Sequence, residues 1–476
     1  MRRFFSHMAP KPYTPGEARG IMEALKQPAV FCNMVSDWPG LQWSVEYLSH
    51  ILDDKPIKFR IGRRQEDKAP LFETQCSYVE AKLTEFVSWT TGQTASPPTP
   101  FSDYPFSEYW AYADYKYIAV LLEDKSSMFE DIRWQDFGFP GRDGRESTLW
   151  IGTGGANTPC HLDSYGCNLV LQVQGRKRWY LFPPEDTHSL YPTRIPYEES
   201  SVFSKVNVVN PDFTQFPAFA STRMHMVTLL PGQVLFVPRH WWHYVESVDP
   251  ITVSINSWME LDVDDEVRVS EALTRTIVCA LKSAPGPDNT DLWLNPTEAE
   301  ITSHEENLRY LNLAMQSCLR RPRRPCHEPT ATRMGSTVAR LGKRDCRGHP
   351  PEAQPADRDG DADCPSSLPF GPDLLAVPQI PSGQLPQSES GKAKTSSCEH
   401  SPPSKLRHEL NRVCCGETCC QSTPERQEST TLNNGKHVGS CAGCPTISTN
   451  DLLDCLVHPD VIALATKILM EKQSAQ

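Results

Sequence analysis

The sequence predicts a mainly β domain with flanking helices, followed by a long tail without stable structure. Short apolar runs, rich in β-branched and aromatic residues, alternate with Gly and Pro turns as far as Trp258. This pattern is typical of a β-barrel or sandwich. The last third of the chain is instead a mixture of Pro, Ser, Gln, Arg and Cys with hardly an apolar cluster. Such a composition cannot offset the entropy cost of folding.

The composition excludes several classes of protein. The 476 residues carry a net charge of −12, and the first 300 hold 39 acidic against 27 basic side chains. This balance argues against broad binding to nucleic acid or to an anionic membrane surface, because phosphate neutralisation needs clustered Lys and Arg. No run approaches the roughly 20 apolar residues of a membrane span. Since 17 cysteines occur without a secretion signal, we expect reduced thiols and a cytoplasmic protein, with the nucleus as an alternative.

The N-terminal flanking region, residues 1–110, is predicted to contain two short helices around one extended segment. The helices cover residues 15–26 and 44–52, and the extended segment covers residues 28–35. An Asp-Trp-Pro turn ends the extended segment.

The barrel core, residues 111–262, is predicted to consist of short strands separated by turn residues. The apolar runs that predict them cover residues 117–122, 148–151, 168–173, 178–182, 228–230, 234–237 and 251–258. Apolar residues at helical spacing follow in 264–282 and 296–319, so a C-terminal helical segment, residues 263–317, is expected. These helices would either cap the barrel or pair two subunits into a homodimer.

Residues 318–449 are predicted to be a disordered linker and residues 450–473 a short amphipathic helical tail. Ser448 is a capping residue for the tail, and Pro459 breaks it into two parts. The tail either packs back on the chain or docks a partner. In the linker, a cysteine cluster from Cys414 to Cys444 has irregular spacing for zinc, and residues 369–375 are a candidate linear motif.

A candidate metal site contains His161, Asp163 and a histidine further along the chain. Side chains two residues apart on a strand share a face, so His161 and Asp163 point into the same space. His243, in Trp-Trp-His, lies beside another predicted strand, whereas its rival His240 would face the opposite side. Two histidines and one carboxylate are the ligand set of non-haem Fe(II) oxygenases.

The motifs around these residues resemble the JmjC branch of the Fe(II)- and 2-oxoglutarate-dependent oxygenases, particularly the group near an asparaginyl hydroxylase. The resemblance extends from about residue 28 to about residue 319 and is carried by His-x-Asp, Gly-Arg-Lys-Arg-Trp, Leu-Phe-Pro-Pro, Pro-Gly-Gln-Val-Leu-Phe-Val-Pro and Trp-Trp-His. It implies a double-stranded β-helix barrel of the jelly-roll or cupin type and the cofactors Fe(II) and 2-oxoglutarate. The whole chain is also similar to JmjC proteins that associate with small heat-shock proteins, which implies a small heat-shock protein as a partner.

The resemblance assigns a role to each matching residue. His161, Asp163 and His243 match the iron ligands, and Trp258 matches an aromatic residue near the iron. The residues that match the 2-oxoglutarate and pocket positions are Thr158, Lys177, Asn168, Asn256 and Tyr112. Among these, Lys177 and Thr158 match the residues that bind the distal carboxylate of 2-oxoglutarate.

Two details of this match are specific to the present sequence. Tyr115 and Tyr117 compete with Tyr112 for the position of the tyrosine that contacts 2-oxoglutarate. The segment between Asp163 and Asn168 is one residue longer than in the hydroxylase, and a β-bulge would absorb the extra residue.

Three functions are compatible with the sequence. An active oxygenase that hydroxylates a protein side chain is favoured by the complete ligand set together with Lys177. The alternative is a non-catalytic JmjC protein that sequesters or tethers a small heat-shock chaperone. A second alternative, an RNA hydroxylase or methyl-lysine demethylase, is disfavoured by the acidic charge.

Overall fold

The computed structural model describes residues 10–64, 68–92, 99–283, 293–298, 301–320, 368–381 and 447–474. Its strands are β1 (Ala29–Phe31), β2 (Pro56–Arg63), β3 (Ser77–Lys82), β4 (Tyr109–Tyr117), β5 (Thr148–Thr153), β6 (Asn157–Asp163), β7 (Cys167–Gln174), β8 (Lys177–Phe182), β9 (Pro192–Glu198), β10 (Ser201–Ser204), β11 (His225–Leu229), β12 (Val234–Val237), β13 (Trp242–Ser247), β14 (Ile251–Met259) and β15 (Leu374–Ala376). Its helices are α1 (Pro15–Ala24), α2 (Val45–Leu52), α3 (Leu83–Thr90), α4 (Ile118–Leu121), α5 (Asp264–Lys282), α6 (His304–Arg320), α7 (Thr449–Leu456) and α8 (Pro459–Ser474).

The strands form two antiparallel sheets, which confirms the predicted mainly β fold with flanking helices. The order of the nine-stranded sheet is β15-β1-β12-β7-β14-β5-β4-β2-β3, and that of the six-stranded sheet is β11-β8-β13-β6-β10-β9. Residues of both sheets line one pocket, so the sheets face each other across it. Within the described residues, no helix is long and apolar enough to cross a membrane.

The central strands β5, β7 and β14 of the nine-stranded sheet are buried on both faces, and the two faces carry different side chains. On β7, Leu169 and Leu171 pack into the main core with the N-terminal helices, whereas Asn168 and Val170 face the pocket. The same alternation places Ile255 of β14 in the core. Because side chains alternate along a strand, one face of the sheet packs into the core and the other face lines the pocket.

The expected strand at 117–122 is wrong, because β4 ends at Tyr117 and the helical turn α4 follows. The Leu122 N–H donates to the Ile118 carbonyl oxygen at 2.9 Å. Ile118, Leu121 and Leu122 are buried while Val120 is 65% exposed, which is helical rather than alternating spacing. The boundary expected at residue 110 also falls inside β4, since β1 to β4 belong to the nine-stranded sheet.

The expected disorder of residues 318–449 is wrong for residues 368–381, which we call the strap. The strap adds β15 to the edge of the nine-stranded sheet beside β1. Leu374 and Val377 are buried, at 0% and 2% exposure. The candidate linear motif at 369–375 therefore contacts its own chain. The remainder of the linker from residue 321 to residue 446, including the cysteine cluster, lies outside the described residues.

The tail forms α7 and α8, and the predicted break at Pro459 is confirmed. Leu453 and Ile462 share an apolar cluster with Val278 of α5, and the hydroxyls of Ser270 and Thr466 lie 3.1 Å apart. The tail therefore packs back on the helical segment, which answers the question that the sequence left open. The helix expected from residue 296 begins only at His304.

Candidate active site

The three expected metal ligands lie together at the junction of two neighbouring strands. His161 and Asp163 are on β6, and His243 is paired directly with His161 across the β6–β13 ladder. One ligand atom of each residue lies within 4.8 Å of the others. The Asp163 carboxylate is 3.7 Å from His161 Nε2 and 3.8 Å from His243 Nε2. This spacing leaves room for one cation among the three side chains.

Each of the three side chains is fixed by a further hydrogen bond. The Nδ1–H of His161 donates to the Pro159 carbonyl oxygen at 2.9 Å, and that of His243 donates to the Trp241 carbonyl oxygen at 3.0 Å. The Trp258 indole N–H donates to Asp163 at 2.9 Å. These bonds select the tautomers that present Nε2 to the site, as metal-ligating histidines require.

The surroundings of His161 favour its neutral imidazole. Burial is the first cause that lowers the pKa of His161 below its ordinary value, and the adjacent His243 adds to this effect. A neutral imidazole offers its Nε2 lone pair without first losing a proton. The rival His240 is excluded from the cluster, because its Nε2 lies 3.1 Å from the Ser164 carbonyl oxygen.

A cavity extends from the histidines between the two sheets. Its far end is marked by Lys177, which is 2% exposed. The Lys177 ammonium donates to the Tyr112 hydroxyl at 3.1 Å and to Ser254 Oγ at 2.8 Å. Thr158 lines the same cavity as Tyr112. The structure therefore brings Lys177, Tyr112 and Thr158 together, as expected from the sequence.

Lys177 is an unusual buried cation. Within the described part of the chain it forms no ion pair, and burial lowers its pKa to about 7, an effect that Asp114 partly offsets. A buried cation without a counter-charge is costly. An acidic ligand in the cavity would supply that charge, and the neighbouring hydroxyls would supply further donors. Burial also raises the pKa of Tyr112, so its hydroxyl keeps its proton.

The two asparagines expected in the site form a buried chain of amides. The Asn256 amide donates to Asn168 Oδ1 at 2.9 Å, and the Trp150 indole N–H donates to Asn256 Oδ1 at 2.8 Å. Both asparagines line the cavity. These hydrogen bonds satisfy amide and indole groups that would destabilise the fold if they were buried without partners.

The extra residue before Asn168 is absorbed by a turn rather than by the expected bulge. Gly166 lies in this turn with φ +57°, and a Cβ there would lie 2.0 Å from the Met259 carbonyl oxygen. Ser164 Oγ also donates to Glu271 of α5 at 3.0 Å. The turn therefore fixes the end of β6, where Asp163 lies, and the start of β7. Gly154 and Gly155 lie in the turn between β5 and β6.

Sequence reasoning missed five residues that line the cavity: Trp150, Val170, Trp179, Val245 and Ser254. Trp179 stacks on His243 with ring centroids 5.7 Å apart, and its buried indole N–H has no acceptor among the described residues. Side chains two residues apart on a strand share a face. The predicted positions of Lys177 and Asn256 could therefore have led to Trp179 and Ser254. Of the two rivals of Tyr112, Tyr115 also lines the cavity, at an irregular point of β4 where its φ is +51°. Tyr117 is 56% exposed and is not among the residues that line the cavity.

The residues present fit a hard or borderline divalent cation beside an acidic small molecule. Two imidazoles and one carboxylate suit Fe(II), and three protein ligands leave positions open for other molecules. At the other end of the same cavity, an ammonium with neighbouring hydroxyls suits a carboxylate.

Comparison with known proteins gives four informative matches, one to a family model and three to individual proteins. The model of a family described as "Cupin-like domain" matches residues 21–265. HSPB1-associated protein 1 homolog of Danio rerio is 54% identical over 473 residues, covering 98% of this chain and 99% of that protein. HSPB1-associated protein 1 of Homo sapiens is 50% identical over 470 residues, covering 98% and 95%. Lysine-specific demethylase 8 of Danio rerio is 28% identical over 240 residues, covering 49% and 53%.

Proposed function

Since this chain belongs to the HSPB1-associated protein 1 family and carries a cupin-like domain of the JmjC type, we propose that it is an Fe(II)- and 2-oxoglutarate-dependent oxygenase that hydroxylates a protein side chain. One observation carries the proposal. A buried lysine that forms no ion pair among the described residues and a His-Asp-His cluster lie at opposite ends of one cavity. A purely structural barrel would have no reason to keep either feature buried.

The position of each residue in the cavity determines the role that we assign to it. His161, Asp163 and His243 would hold Fe(II), which when bound supplies the redox chemistry of O₂ activation. Lys177 would bind the distal carboxylate of 2-oxoglutarate together with Tyr112. Thr158 and Ser254 would add hydroxyls beside that carboxylate, and Asn168 and Asn256 would line the wall between the two ends.

The chain's own residues perform three tasks in this scheme. The carbonyl oxygens of Pro159 and Trp241 hold the two imidazoles in the ligating tautomer. Lys177 takes up a proton when a carboxylate arrives, because the new charge raises its pKa again. The aromatic walls of Trp150 and Trp258 exclude water from the reacting centre.

We propose a small heat-shock protein as substrate or partner. The relatives from Danio rerio and Homo sapiens are named for association with HSPB1, and they match nearly the whole chain rather than the barrel alone. The net charge of −12 favours a protein over a nucleic acid as the ligand. Co-sedimentation of the full chain with purified HSPB1 tests this association, and a chain that sediments no faster in its presence would contradict it.

We further propose a cytoplasmic location, with the nucleus as a second site, and a homodimer through the C-terminal helices. Exposed apolar residues on α6 and α8 support the dimer, among them Leu313 at 57% and Leu464 at 60% exposure. Light scattering during size exclusion measures the mass directly, and imaging of the tagged chain measures the location.

The test of catalysis is succinate formation from 2-oxoglutarate by the full chain with Fe(II), ascorbate and HSPB1. The Asp163→Ala variant removes one ligand and serves as the control for adventitious iron chemistry. We expect succinate in excess of this control, together with incorporation of one oxygen atom into a peptide of HSPB1. Binding of HSPB1 without any succinate above the control would instead favour the non-catalytic tether.

A further inference from the structure

The strap contacts the open edges of both sheets. Its strand β15 pairs with β1, and the Val377 N–H donates to the Pro28 carbonyl oxygen at 3.1 Å. Beyond Val377 the strap crosses to β11 of the other sheet. There the Met226 N–H donates to the Pro378 carbonyl oxygen at 3.1 Å, and the Ile380 N–H donates to that of Met224 at 2.7 Å. The strap therefore joins the two sheets along one side of the barrel.

A continuous set of contacts leads from the strap to a metal ligand. The Val377 carbonyl oxygen accepts from the buried Nδ1–H of His225 at 3.0 Å. The His225 ring packs edge-on against Trp241, with ring centroids 5.2 Å apart. The Trp241 carbonyl oxygen in turn accepts the hydrogen bond that orients His243. Three contacts thus separate the strap from the imidazole at the site.

The strap also supports the wall of the cavity. The side chain of Val377 belongs to the same buried apolar cluster as Val170, Trp179 and Val245, and these three residues line the cavity. Trp179 is the ring that stacks on His243. Loss of Val377 from this cluster would leave a gap directly behind the residues that hold His243 in place.

We infer that the strap is a positioning element of the metal site: by holding His225 and Val377 in place, it fixes Trp241 and Trp179 around His243. The strap follows α6 at a long distance along the chain, so a fragment that ends at Arg320 lacks this support. Release of the strap weakens the metal site without touching a ligand. The inference rests on the proposed metal site.

The test compares variants of the full chain by titration with Co(II), which reports ligand geometry through its visible spectrum. Leu374→Asp with Val377→Asp places two charges at buried positions of the strap and releases it. Leu375→Asp makes the same change at the neighbouring position, which is 42% exposed, and serves as the matched control. Partners that orient metal ligands typically account for about 10- to 100-fold in affinity. We expect about a tenfold loss of Co(II) affinity and an altered spectrum for the double variant, and wild-type behaviour for the control.

Each possible result of this test either supports or overturns the inference. Proteolysis within residues 368–381 shows that the strap is released, and wild-type Co(II) affinity in that state would overturn the inference. If the double variant does not fold, His225→Phe takes its place, since it keeps a ring against Trp241 but removes the donor to Val377. Wild-type affinity and spectrum of that variant would overturn the inference equally. Failure of the wild-type chain itself to bind Co(II) would instead refute the proposed metal site.

Discussion

Replacing Lys177 by Met should stabilise the ligand-free protein while abolishing 2-oxoglutarate binding. Burial lowers the pKa of Lys177 from 10.5 to about 7, so the folded chain at pH 7 holds this ammonium at a cost of about 4 kcal/mol relative to the unfolded chain. Methionine removes that cost but leaves the Tyr112 and Ser254 hydroxyls without their common partner, which costs about 2 kcal/mol. The free energy of unfolding should therefore increase by about 2 kcal/mol.

The stability gained by Lys177→Met should also depend on pH. The unfolded chain binds more protons at this position than the folded chain, so the stability of the wild type rises with pH between about 7 and 10.5. The advantage of Lys177→Met should be largest below about pH 7 and should vanish near pH 9, since one pKa unit is worth about 1.4 kcal/mol. Urea unfolding of both proteins in the presence of a chelator, followed by circular dichroism at several pH values, measures this difference in stability.

The exposed residue Lys26 provides the control, because Lys26→Met should change the stability by no more than about 0.5 kcal/mol at any pH. A Lys177→Met variant that is less stable than the wild type at pH 7 would refute the reasoning. An advantage that does not change with pH would refute it as well.

Three further predictions concern the same cavity. The affinity for 2-oxoglutarate, measured by calorimetry, should fall about tenfold per pH unit just above pH 7, because Lys177 then loses the proton that the ligand needs. Gly166→Ala should lower the free energy of unfolding by about 3 kcal/mol in urea titrations, since φ is +57° and the Met259 carbonyl oxygen lies 2.0 Å from the new Cβ; an unchanged midpoint would contradict the geometry. Trp258→Phe removes the donor to Asp163 and should weaken Co(II) binding about tenfold with little change in melting temperature.

The site was easier to predict than its surroundings, for a physical reason. Polar residues at alternate positions of apolar strands, such as His161 with Asp163, are rare without a function, so they stand out in the sequence. Trp150 and Trp179 are missed because an aromatic residue in a strand is typical of any core. The roles assigned to Thr158, Asn168 and Asn256 stay predictions, although the structure places all three in the cavity.

The fold was predicted well where stability is local and poorly where it comes from distant partners. The strap is missed because its stability comes from Pro28, Met224 and Met226, none of which is near it in sequence. Strand β2 is missed although Ile57, Phe59 and Ile61 alternate with Lys58 and Arg60, but the burial of Arg60 on the polar face could not be predicted from this alternation. That arginine is fully buried, and Asp114 accepts its Nε–H at 2.6 Å. Long-range pairs of this kind leave no periodic signal in one chain.

The central claim is that the His-Asp-His cluster and Lys177 form one site for a metal and 2-oxoglutarate. Calorimetric titration of the full chain with 2-oxoglutarate, with and without Mn(II) as a redox-inert substitute for Fe(II), tests it most directly. The account predicts binding that is strong only with the metal, weak in Asp163→Ala whether or not the metal is present, and lost in Lys177→Met. Equal binding of 2-oxoglutarate with and without metal in the wild type, or unimpaired binding to Lys177→Met, would contradict it.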